Sequence, residues 1–225
     1  MKIYITSGGF VGSYLKERFK NSLCGTIEHA DIVINTIGIL KEDKYTYEDS
    51  HIQTVKDLIK KVKNKKFIHI SALGSKLNHP SKYKHTKAVA EEIIKNELQN
   101  YAIIKPSIIL GEGQKLYKDL EKFKNMPFIF APKMKVSPVD IEKIYLTINM
   151  IIQKDLRGEF ELCTEVKSMK DLFEEVFKRY GKTPLVIEMP KIFFFLTLPL
   201  LSALGIMTKD EYLMIEDNIC KDKNG

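Results

Sequence analysis

Short apolar segments alternate with amphipathic ones along the first 110 residues of this 225-residue chain. The pattern predicts strands at 2–6, 31–38, 67–71 and 101–105, and helices at 10–20, 48–63 and 81–98. Strands that are apolar at nearly every position and are separated by helices are typical of a parallel sheet covered on both faces. The alternation therefore predicts an α/β chain built on a doubly wound parallel sheet.

The remaining residues predict a smaller, mostly helical cap. Helices are expected at 139–153, 168–180, 190–205 and 208–218, with one short strand at 159–162. A chain of 225 residues is long enough for one sizeable core and too short for two full domains. We therefore predict a core of residues 1–110, onto which 136–153 packs back, and a small cap or substrate region built from 111–135 and 154–225.

A glycine-containing turn, ITSGGFVG, joins the first strand to the first helix. Its glycines would let the backbone approach a phosphate, while the helix N-terminus supplies unpaired N–H groups and partial positive charge. In a doubly wound fold this turn is where the pyrophosphate of a dinucleotide binds. The contact residues expected there are Gly8, Gly9, Phe10, Val11 and Gly12. Thr6 stands where a G-x-x-G-x-x-G pattern needs its first glycine, so a tight turn without a ligand is the alternative.

The interval between the first helix and the second strand is too short for the usual second and third strands of a dinucleotide fold. Only about ten residues separate Lys20 from Asp31. Residues 24–28 cannot form a further parallel strand, because the return to Asp31 would need a crossover of about a dozen residues. Asp31 itself lies at the N-terminal end of its strand, whereas ligands bind at the carboxyl ends. We therefore predict a Rossmann-like sheet shortened by the loss of strands 2 and 3. The first strand of this sheet would be an exposed edge and a candidate homodimer interface.

Ser71, Tyr83 and Lys87 form a candidate catalytic set. Ser71 ends a predicted buried strand, and Tyr83 and Lys87 are four residues apart on the following helix, so both side chains share one face. A neighbouring ammonium lowers the pKa of a tyrosine from its usual value of about 10. The tyrosine could then exchange a proton with a carbonyl or alcohol oxygen, while Ser71 hydrogen-bonds that oxygen and Lys87 reaches the cofactor ribose. A Tyr-x-x-x-Lys pair on an ordinary surface helix is the alternative.

The chain resembles atypical short-chain dehydrogenase/reductases in three segments: ADIVINTIGIL, FIHISALGSKLNHPSKYKHTKAVAEE and YAIIKPSIILGEG. Within that family it looks most like the group of the nucleotide-binding accessory subunit of respiratory complex I and its bacterial relatives. Those relatives are NAD(P)H-binding or sugar-nucleotide-epimerase-like proteins. The closing segment MTKDEYLMIEDNIC is similar to the end of that group, so the resemblance covers nearly the whole chain.

The resemblance implies an NAD(P)-binding Rossmann fold and an NAD(P)(H) cofactor. It also implies the following roles: Gly9 and Gly12 contact the pyrophosphate, Thr36 to Gly38 lie near the adenosine, and Tyr83, Lys87, Pro106 and Ser107 flank the nicotinamide. Two hypotheses follow. The protein is an oxidoreductase or epimerase-like enzyme that transfers hydride to an unknown small molecule at the Ser–Tyr–Lys set. Alternatively, it is a non-catalytic accessory or assembly protein of a membrane respiratory complex.

Charge and cysteine content argue against several other classes. The net charge is +7. In the densest run of lysines, at 56–66, apolar residues recur at helical spacing, so the lysines are interpreted as the solvated face of an amphipathic helix. No nucleic-acid partner is therefore predicted. The three cysteines are far apart and the five histidines lack metal-ligand spacing, which predicts reduced thiols, a cytoplasmic location and no metal site.

The longest uncharged segment is IFFFLTLPLLSALGIMT, at 192–208. It is shorter than the roughly 20 residues that a membrane-spanning helix needs. We expect it to form a buried cap helix. The alternative is that it docks on a partner or a bilayer, which would make the protein peripheral on the inner face of a membrane.

Overall fold

The computed structural model of the chain describes residues 1–62, 64–216 and 218–220. The first half contains, in chain order, β1 (Ile3–Ile5), α1 (Phe10–Arg18), β2 (Ile32–Asn35), α2 (Thr54–Val62), β3 (Lys66–Ile70), α3 (Lys82–Glu97) and β4 (Tyr101–Pro106). A 3-10 turn at Lys20–Ser22 follows α1, and a π-helical turn at Glu48–Gln53 leads into α2. The predicted end of that helix at residue 63 lies outside the described residues, as does residue 217 of the closing segment.

The second half alternates short strands with helices. Its elements are β5 (Ile109–Leu110), α4 (Lys115–Glu121), β6 (Phe128–Pro132), β7 (Lys135–Val136), β8 (Val139–Asp140), α5 (Ile141–Gln153), β9 (Gly158–Leu162), β10 (Lys167–Ser168), α6 (Met169–Arg179), β11 (Leu185–Met189), α7 (Lys191–Ala203) and α8 (Lys209–Ile215). Each predicted strand and helix is present with slightly different ends. The strands β5 to β8, β10 and β11, and the helix α4, were not predicted.

One parallel five-stranded sheet forms the centre of the core, in the order β1-β2-β3-β4-β9. Strands β2 and β3 are buried at every position, as expected for strands that are covered on both sides. On one face, α1 and α5 bury Ile34 and Ile68. On the other, α2 and α3 bury Val33, Phe67 and Ile103. The predicted doubly wound parallel sheet is therefore confirmed, whereas the division into domains stays a prediction.

Strand β1 is an edge strand, as the short interval after α1 predicts. It pairs with β2 through Ile3 and Ile32. On its other side Leu23 forms a single parallel bridge with Ile3, and Cys24 N donates to Ile3 O over 3.0 Å. The chain then turns back to β2 without forming another strand, and every residue of this interval is described. The predicted loss of strands 2 and 3 is confirmed, and among the described residues the outer edge of β1 is paired at Ile3 alone.

The cap combines small sheets with helices around its own apolar core. Strands β6 and β11 pair in parallel over five residues each. Helix α6 packs on one face of this pair, where Phe177 is fully buried with Ile129 and Val186. Two further pairs, β5 with β8 and β7 with β10, tie the cap segments together.

Helix α7 is not a buried cap helix, so that expectation is wrong. Phe194 and Leu198 are buried in the cap core, but Ile192, Leu196 and Leu200 are each more than 60% exposed. The reason is that the cap core covers one side of the helix, whereas the sequence is apolar all round. Among the described helices, none combines the length and apolar character that crossing a bilayer requires.

The expectation that all cysteines stay reduced is wrong for two of them. Cys163 and Cys220 form a disulfide, and Cys24 is free. Sequence spacing did not indicate this pair, because 57 positions separate the two residues. Residues 218–220 lie beside the end of β9, and the Cα atoms of the two cysteines are 6.0 Å apart, which lies in the usual range for a disulfide.

Gly12 is expected to be the least replaceable glycine of the turn. A β-carbon at Gly12 would lie 2.2 Å from Ser7 O, whereas one at Gly8 would have Ser13 Oγ as its nearest neighbour at 4.0 Å. We expect Gly12→Ala to lower the free energy of unfolding by about 1–3 kcal/mol, as overpacking does, and Gly8→Ala to leave it nearly unchanged. Urea unfolding measures both, and equal values for the two variants would contradict the packing role.

Candidate functional site

The carboxyl ends of the parallel strands bring the sequence-predicted site residues to one edge of the sheet. Strand β1 leads into the turn at 8–12, β2 ends just before Thr36, β3 ends before Ser71, and β4 ends at Pro106. Thr36 contacts the turn directly, because Ser7 Oγ and Thr36 Oγ1 are 3.0 Å apart. The turn and the end of β2 therefore form one continuous surface.

The glycine turn leaves the N-terminus of α1 open. Gly9 is the N-cap residue, in an extended conformation and without a side-chain cap, and both Gly8 and Gly9 are exposed. Ser13 holds the turn from within the helix, since its Oγ donates to Gly8 O over 2.6 Å and its N–H to Gly9 O over 2.8 Å. The first-turn N–H groups have no partner inside the helix. The turn therefore fits a phosphate group at the helix N-terminus.

The side chains of Phe10 and Val11 point inward. Val11 packs against the apolar core of the sheet. A β-carbon at Gly111 would lie 3.0 Å from Phe10 Cζ, so the Phe10 ring rests against the chain just after β5. A ligand at the turn would therefore meet these two residues through their backbone N–H groups.

Asp31 lies at the amino end of its strand, as predicted. It stands just before β2, and its Oδ2 accepts a hydrogen bond from Lys2 N over 2.7 Å. This places its carboxylate at the amino end of the sheet, opposite the glycine turn. Asp31 therefore cannot hold a ribose at the carboxyl edge.

Lys87 lies deep in the site. It is 3% exposed, and its Nζ donates to Ile70 O over 3.1 Å. A β-carbon at Gly38 would be 3.1 Å from the same Nζ, so Lys87 also touches the loop after β2. Burial lowers the pKa of Lys87 to about 8, although Glu91 opposes this shift.

Tyr83 is surrounded by aromatic rings, and its pKa moves opposite to the predicted direction. Its ring meets those of His51 and Tyr47 edge-on, with centroids 5.2 and 5.7 Å away. Burial, and after it the Asp210 carboxylate, raise the pKa of Tyr83 to about 12. Asp210 lies close because it accepts hydrogen bonds from backbone N–H groups in the first turn of α3. The predicted lowering by Lys87 is therefore wrong for this structure, since desolvation dominates.

Ser71 binds a buried carboxylate. Ser71 Oγ donates to Glu91 Oε1, and Glu91 Oε2 pairs with Lys105 Nζ over 2.8 Å. Burial raises the pKa of Glu91, against the hydrogen bonds from Lys105 and Ser71. The Ser71 hydroxyl would have to break its hydrogen bond to Glu91 before it could donate to a substrate oxygen.

Ser107 holds Asn218 over the end of β4. Its Oγ donates to Asn218 O over 3.0 Å, and its N–H donates to Leu162 O over 3.0 Å. Pro106 is buried and pairs in register with Leu162. The hydroxyl of Ser107 is therefore occupied by the segment that follows α8.

His51 is a site residue that sequence analysis missed. It lies in the π-helical turn, is fully buried, and bonds Thr86 Oγ1 through Nδ1 over 2.9 Å. Its Nε2 accepts from Ile39 N over 3.4 Å. Burial, and then the charge of Lys87, lower the pKa of His51 to about 2, so the ring is neutral. π-Helical turns often occur at functional sites, but their sequence signal is weak.

His69 carries an unsatisfied donor in the interior. Asn35 Oδ1 accepts from Ile37 N, so Asn35 Nδ2 donates to His69 Nδ1 over 3.0 Å. The proton of the neutral ring is then on Nε2, which has no partner among the described residues. Burial, followed by Lys87, keeps the pKa of His69 well below its usual value. A polar residue within the apolar strand FIHIS was the signal that could have identified it.

A cleft of about 1080 Å³ lies between the core and the cap. Its walls come from the loop at 73–76, from residues 133–135, and from the chain end at 219–220, with Glu161 and Lys191 among the charged groups. Neither the glycine turn nor Tyr83 lines this cleft. Within the part of the chain that is described, no cluster of His, Cys, Asp and Glu could hold a metal ion.

A family model for NAD-binding proteins, described as "Male sterility protein", matches residues 21–153. The match covers more than half of the chain and begins after the glycine turn. It includes β2 to β4, the Ser–Tyr–Lys set and α5.

The curated relatives that the chain matches include subunits of NADH dehydrogenase [ubiquinone]. The mitochondrial NADH dehydrogenase [ubiquinone] 1 alpha subcomplex subunit 9 of Dictyostelium discoideum is 30% identical over 142 residues, which are 58% of this chain and 39% of that protein. The chain spans half or less of the length of the curated relatives that it matches.

Solved structures share the fold. A dTDP-4-dehydrorhamnose reductase of Bacillus anthracis, in complex with NADP, has a TM-score of 0.73 at 15% identity and covers 95% of this chain and 98% of its own. A nucleoside-diphosphate-sugar epimerase of Staphylococcus aureus has a TM-score of 0.73 at 14% identity, covering 100% of this chain and 93% of its own. These likenesses confirm the predicted Rossmann-like fold.

Lys87 is expected to make the free energy of unfolding depend on pH between 8 and 10.5. Its pKa is about 8 in the folded chain and 10.5 ordinarily. In this interval the unfolded chain binds a proton that the folded chain has lost, so stability rises with pH. Relative to Lys87→Met, the wild type should gain about 3 kcal/mol across the interval, at about 1.4 kcal/mol per pKa unit.

Urea unfolding of both proteins across this pH range measures the difference. Lys56→Met, on the exposed face of α2, is the matched control for the loss of one lysine. A wild-type advantage over Lys87→Met that does not change with pH would show that the buried amine keeps its proton throughout.

Proposed function

Because the chain belongs to the NAD-binding family described as "Male sterility protein", we propose that it binds a nicotinamide dinucleotide, NAD(P)(H), at the carboxyl edge of its sheet. The observation that carries the proposal is the open N-terminus of α1 at the same edge as the buried Lys87 amine. The pyrophosphate is held by the turn, and the residues assigned to it are Gly8, Gly9, Phe10, Val11 and Gly12. The contact between Gly38 and Lys87 favours a position for Gly38 beside the ribose that Lys87 reaches.

The adenosine half of the dinucleotide receives less support from the protein. Asp31 lies at the opposite edge, and β1 has only the bridge at Leu23 on its outer side. We infer that most of the binding free energy comes from the pyrophosphate and from the end near Lys87. Thr36, between the turn and Gly38, would line the path between these two ends.

Gly9 offers a test that separates binding from folding. Gly9→Asp places a carboxylate at an N-cap whose backbone is already extended and whose β-carbon would have Ser7 Oγ at 3.8 Å as its nearest neighbour. Aspartate and asparagine are both good N-cap residues, so Gly9→Asp and Gly9→Asn should each keep the helix stable. The carboxylate repels a pyrophosphate, and we expect at least about tenfold weaker NADH and NADPH binding for Gly9→Asp than for Gly9→Asn, about 1.4 kcal/mol.

Isothermal titration calorimetry measures all three proteins. Equal dissociation constants for the aspartate and asparagine variants would show that the pyrophosphate of the dinucleotide does not bind at the glycine turn. Absence of NADH and NADPH binding by the wild type would reject the proposal itself.

The same site supports reduction of a small carbonyl substrate. The bound reduced nicotinamide would supply a hydride to the carbonyl carbon. Tyr83, which its raised pKa keeps protonated at neutral pH, would donate its proton to the carbonyl oxygen. Lys87 would hold the ribose, and Ser71 would join the site if its hydroxyl turned away from Glu91. The reaction proposed is that of an NAD(P)-dependent oxidoreductase. An epimerase-like variant would begin with the oxidised cofactor, which would accept a hydride from the substrate before giving it back to the same carbon.

Tyr83→Phe tests this chemistry. We expect the variant to bind NADPH with an unchanged dissociation constant and to lose at least about 100-fold in turnover, the usual contribution of a general acid. Oxidation of NADPH is followed by absorbance with a panel of aldehydes and keto sugars. Tyr101→Phe, at the amino end of β4, is the matched control. Unchanged turnover in the Tyr83→Phe variant would show that Tyr83 is not the proton donor.

A non-catalytic accessory role is the second candidate. It is supported by the curated relatives, which are subunits of NADH dehydrogenase, and by the Ser71 hydroxyl that is bound to Glu91. In that role the protein would bind the dinucleotide without turnover and would lie at the periphery of a membrane complex. Tight NADPH binding with no oxidation on any substrate of the panel would favour this candidate.

A further inference from the structure

Helix α7 presents an apolar face that no described residue covers. Ile192, Leu196, Leu200 and Leu204 recur every four residues and are between 63% and 67% exposed. Residues at this spacing lie on one side of a helix. The opposite side, with Phe194 and Leu198, packs in the cap core. A helix that is apolar on all sides is normally surrounded by protein or by lipid, and here the protein surrounds only half of it.

A second apolar face lies on the two-stranded sheet that leads into α7. Phe128 is in register with Leu185, and Phe130 with Ile187, so the four side chains share one face. They are between 37% and 64% exposed. The opposite face is buried beneath α6. Strand β11 continues through Pro190 directly into α7. We call these two faces together the apolar cap surface.

Lysines stand at the ends of the elements that carry this surface. The segment 122–139 contains no acidic residue and the segment 191–209 contains none. Exposed lysines include Lys133 and Lys135 after β6, Lys182 before β11, Lys191 at the start of α7, which pairs with Glu216, and Lys209 at the start of α8. Glu188 is the one exposed acidic residue within β11. Lysine side chains can lie along apolar surface while their ammonium groups reach outward.

An apolar surface with a basic rim is complementary to an anionic lipid bilayer. Apolar side chains enter the boundary between headgroups and acyl chains, while lysines contact the negative headgroups. We propose that the apolar cap surface docks on an anionic membrane, with α7 lying in the plane of the interface. None of the residues that form this surface belongs to the site at the sheet edge, so docking and dinucleotide binding can be measured separately.

The absence of tryptophan from the chain allows a direct test. Phe193→Trp places a single tryptophan on the exposed side of α7, where Phe193 is 60% exposed. Leu146→Trp, at a 54% exposed position on α5, is the matched control. With vesicles of phosphatidylglycerol and phosphatidylcholine, we expect a blue shift and quenching by brominated lipid for Phe193→Trp only. Vesicles of phosphatidylcholine alone should bind at least tenfold more weakly, and added salt should weaken binding to the anionic vesicles.

A charge substitution provides the second measurement. Leu196→Glu combined with Leu200→Glu should abolish flotation with anionic vesicles, whereas Leu146→Glu should float like the wild type. Both variants change exposed positions, and their melting curves and NADPH binding check that the fold is kept. No flotation of the wild type, or an equal response of the two tryptophan variants, would overturn the proposal. Sedimentation that shows a wild-type dimer and a monomeric Leu196→Glu, Leu200→Glu variant, with flotation of neither, would instead assign this surface to a second copy of the chain.

Discussion

The direct pairing of β1 with β2 is the constraint on which the rest of the site depends. Because β2 is both the next strand in sequence and the neighbour of β1, the glycine turn and the loop after β2 leave the sheet side by side. Ser7 and Thr36 then meet at 3.0 Å, and Gly12 has no room for a β-carbon. The conformation of the turn is therefore fixed from the side of β2. The turn keeps this conformation without the missing strands, and the shortened sheet therefore retains the open N-terminus of α1.

Helix α3 places three ionisable groups at successive turns of one face. Burying these groups costs more free energy than burying apolar side chains would. Tyr83, Lys87 and Glu91 are four residues apart, and Lys87 and Glu91 are almost completely buried. Glu91 is compensated by Lys105 and Ser71. Lys87 donates to one carbonyl and lies near two neutral histidines, and the charge of Glu91 offsets its burial only in part. An amine kept in such surroundings costs stability. Strongly shifted groups at the carboxyl edge of a sheet are typical of functional sites, which favours a role in binding over a role in packing.

The features that sequence could predict are those set by local periodicity. The sequence predicts the apolar strands at 31–38 and 67–71, which are β2 and β3 of the structure, and the helix between them, because each carries its own pattern. Strand β6 was missed because its partner, β11, lies more than 50 positions away and neither strand is stable alone. The pKa of Tyr83 was predicted in the wrong direction, because spacing shows which groups are neighbours but not how much water burial removes. The exposed side of α7 was missed for a related reason, since an apolar sequence does not show how many of its sides the fold will cover.

The apolar cap surface and the sheet edge are joined by a short series of contacts. Phe194 of α7 stacks on Tyr212 of α8, with ring centroids 5.7 Å apart. From the first turn of α8, Asp210 accepts the N–H groups that begin α3 and contributes to the raised pKa of Tyr83. A displacement of α7 that carried α8 with it would withdraw this carboxylate. The pKa of Tyr83 would then fall by the part that the carboxylate contributes, whereas the larger effect of burial would remain. A contact that displaced α7 together with α8 would therefore be felt at the start of α3, beside the candidate proton donor.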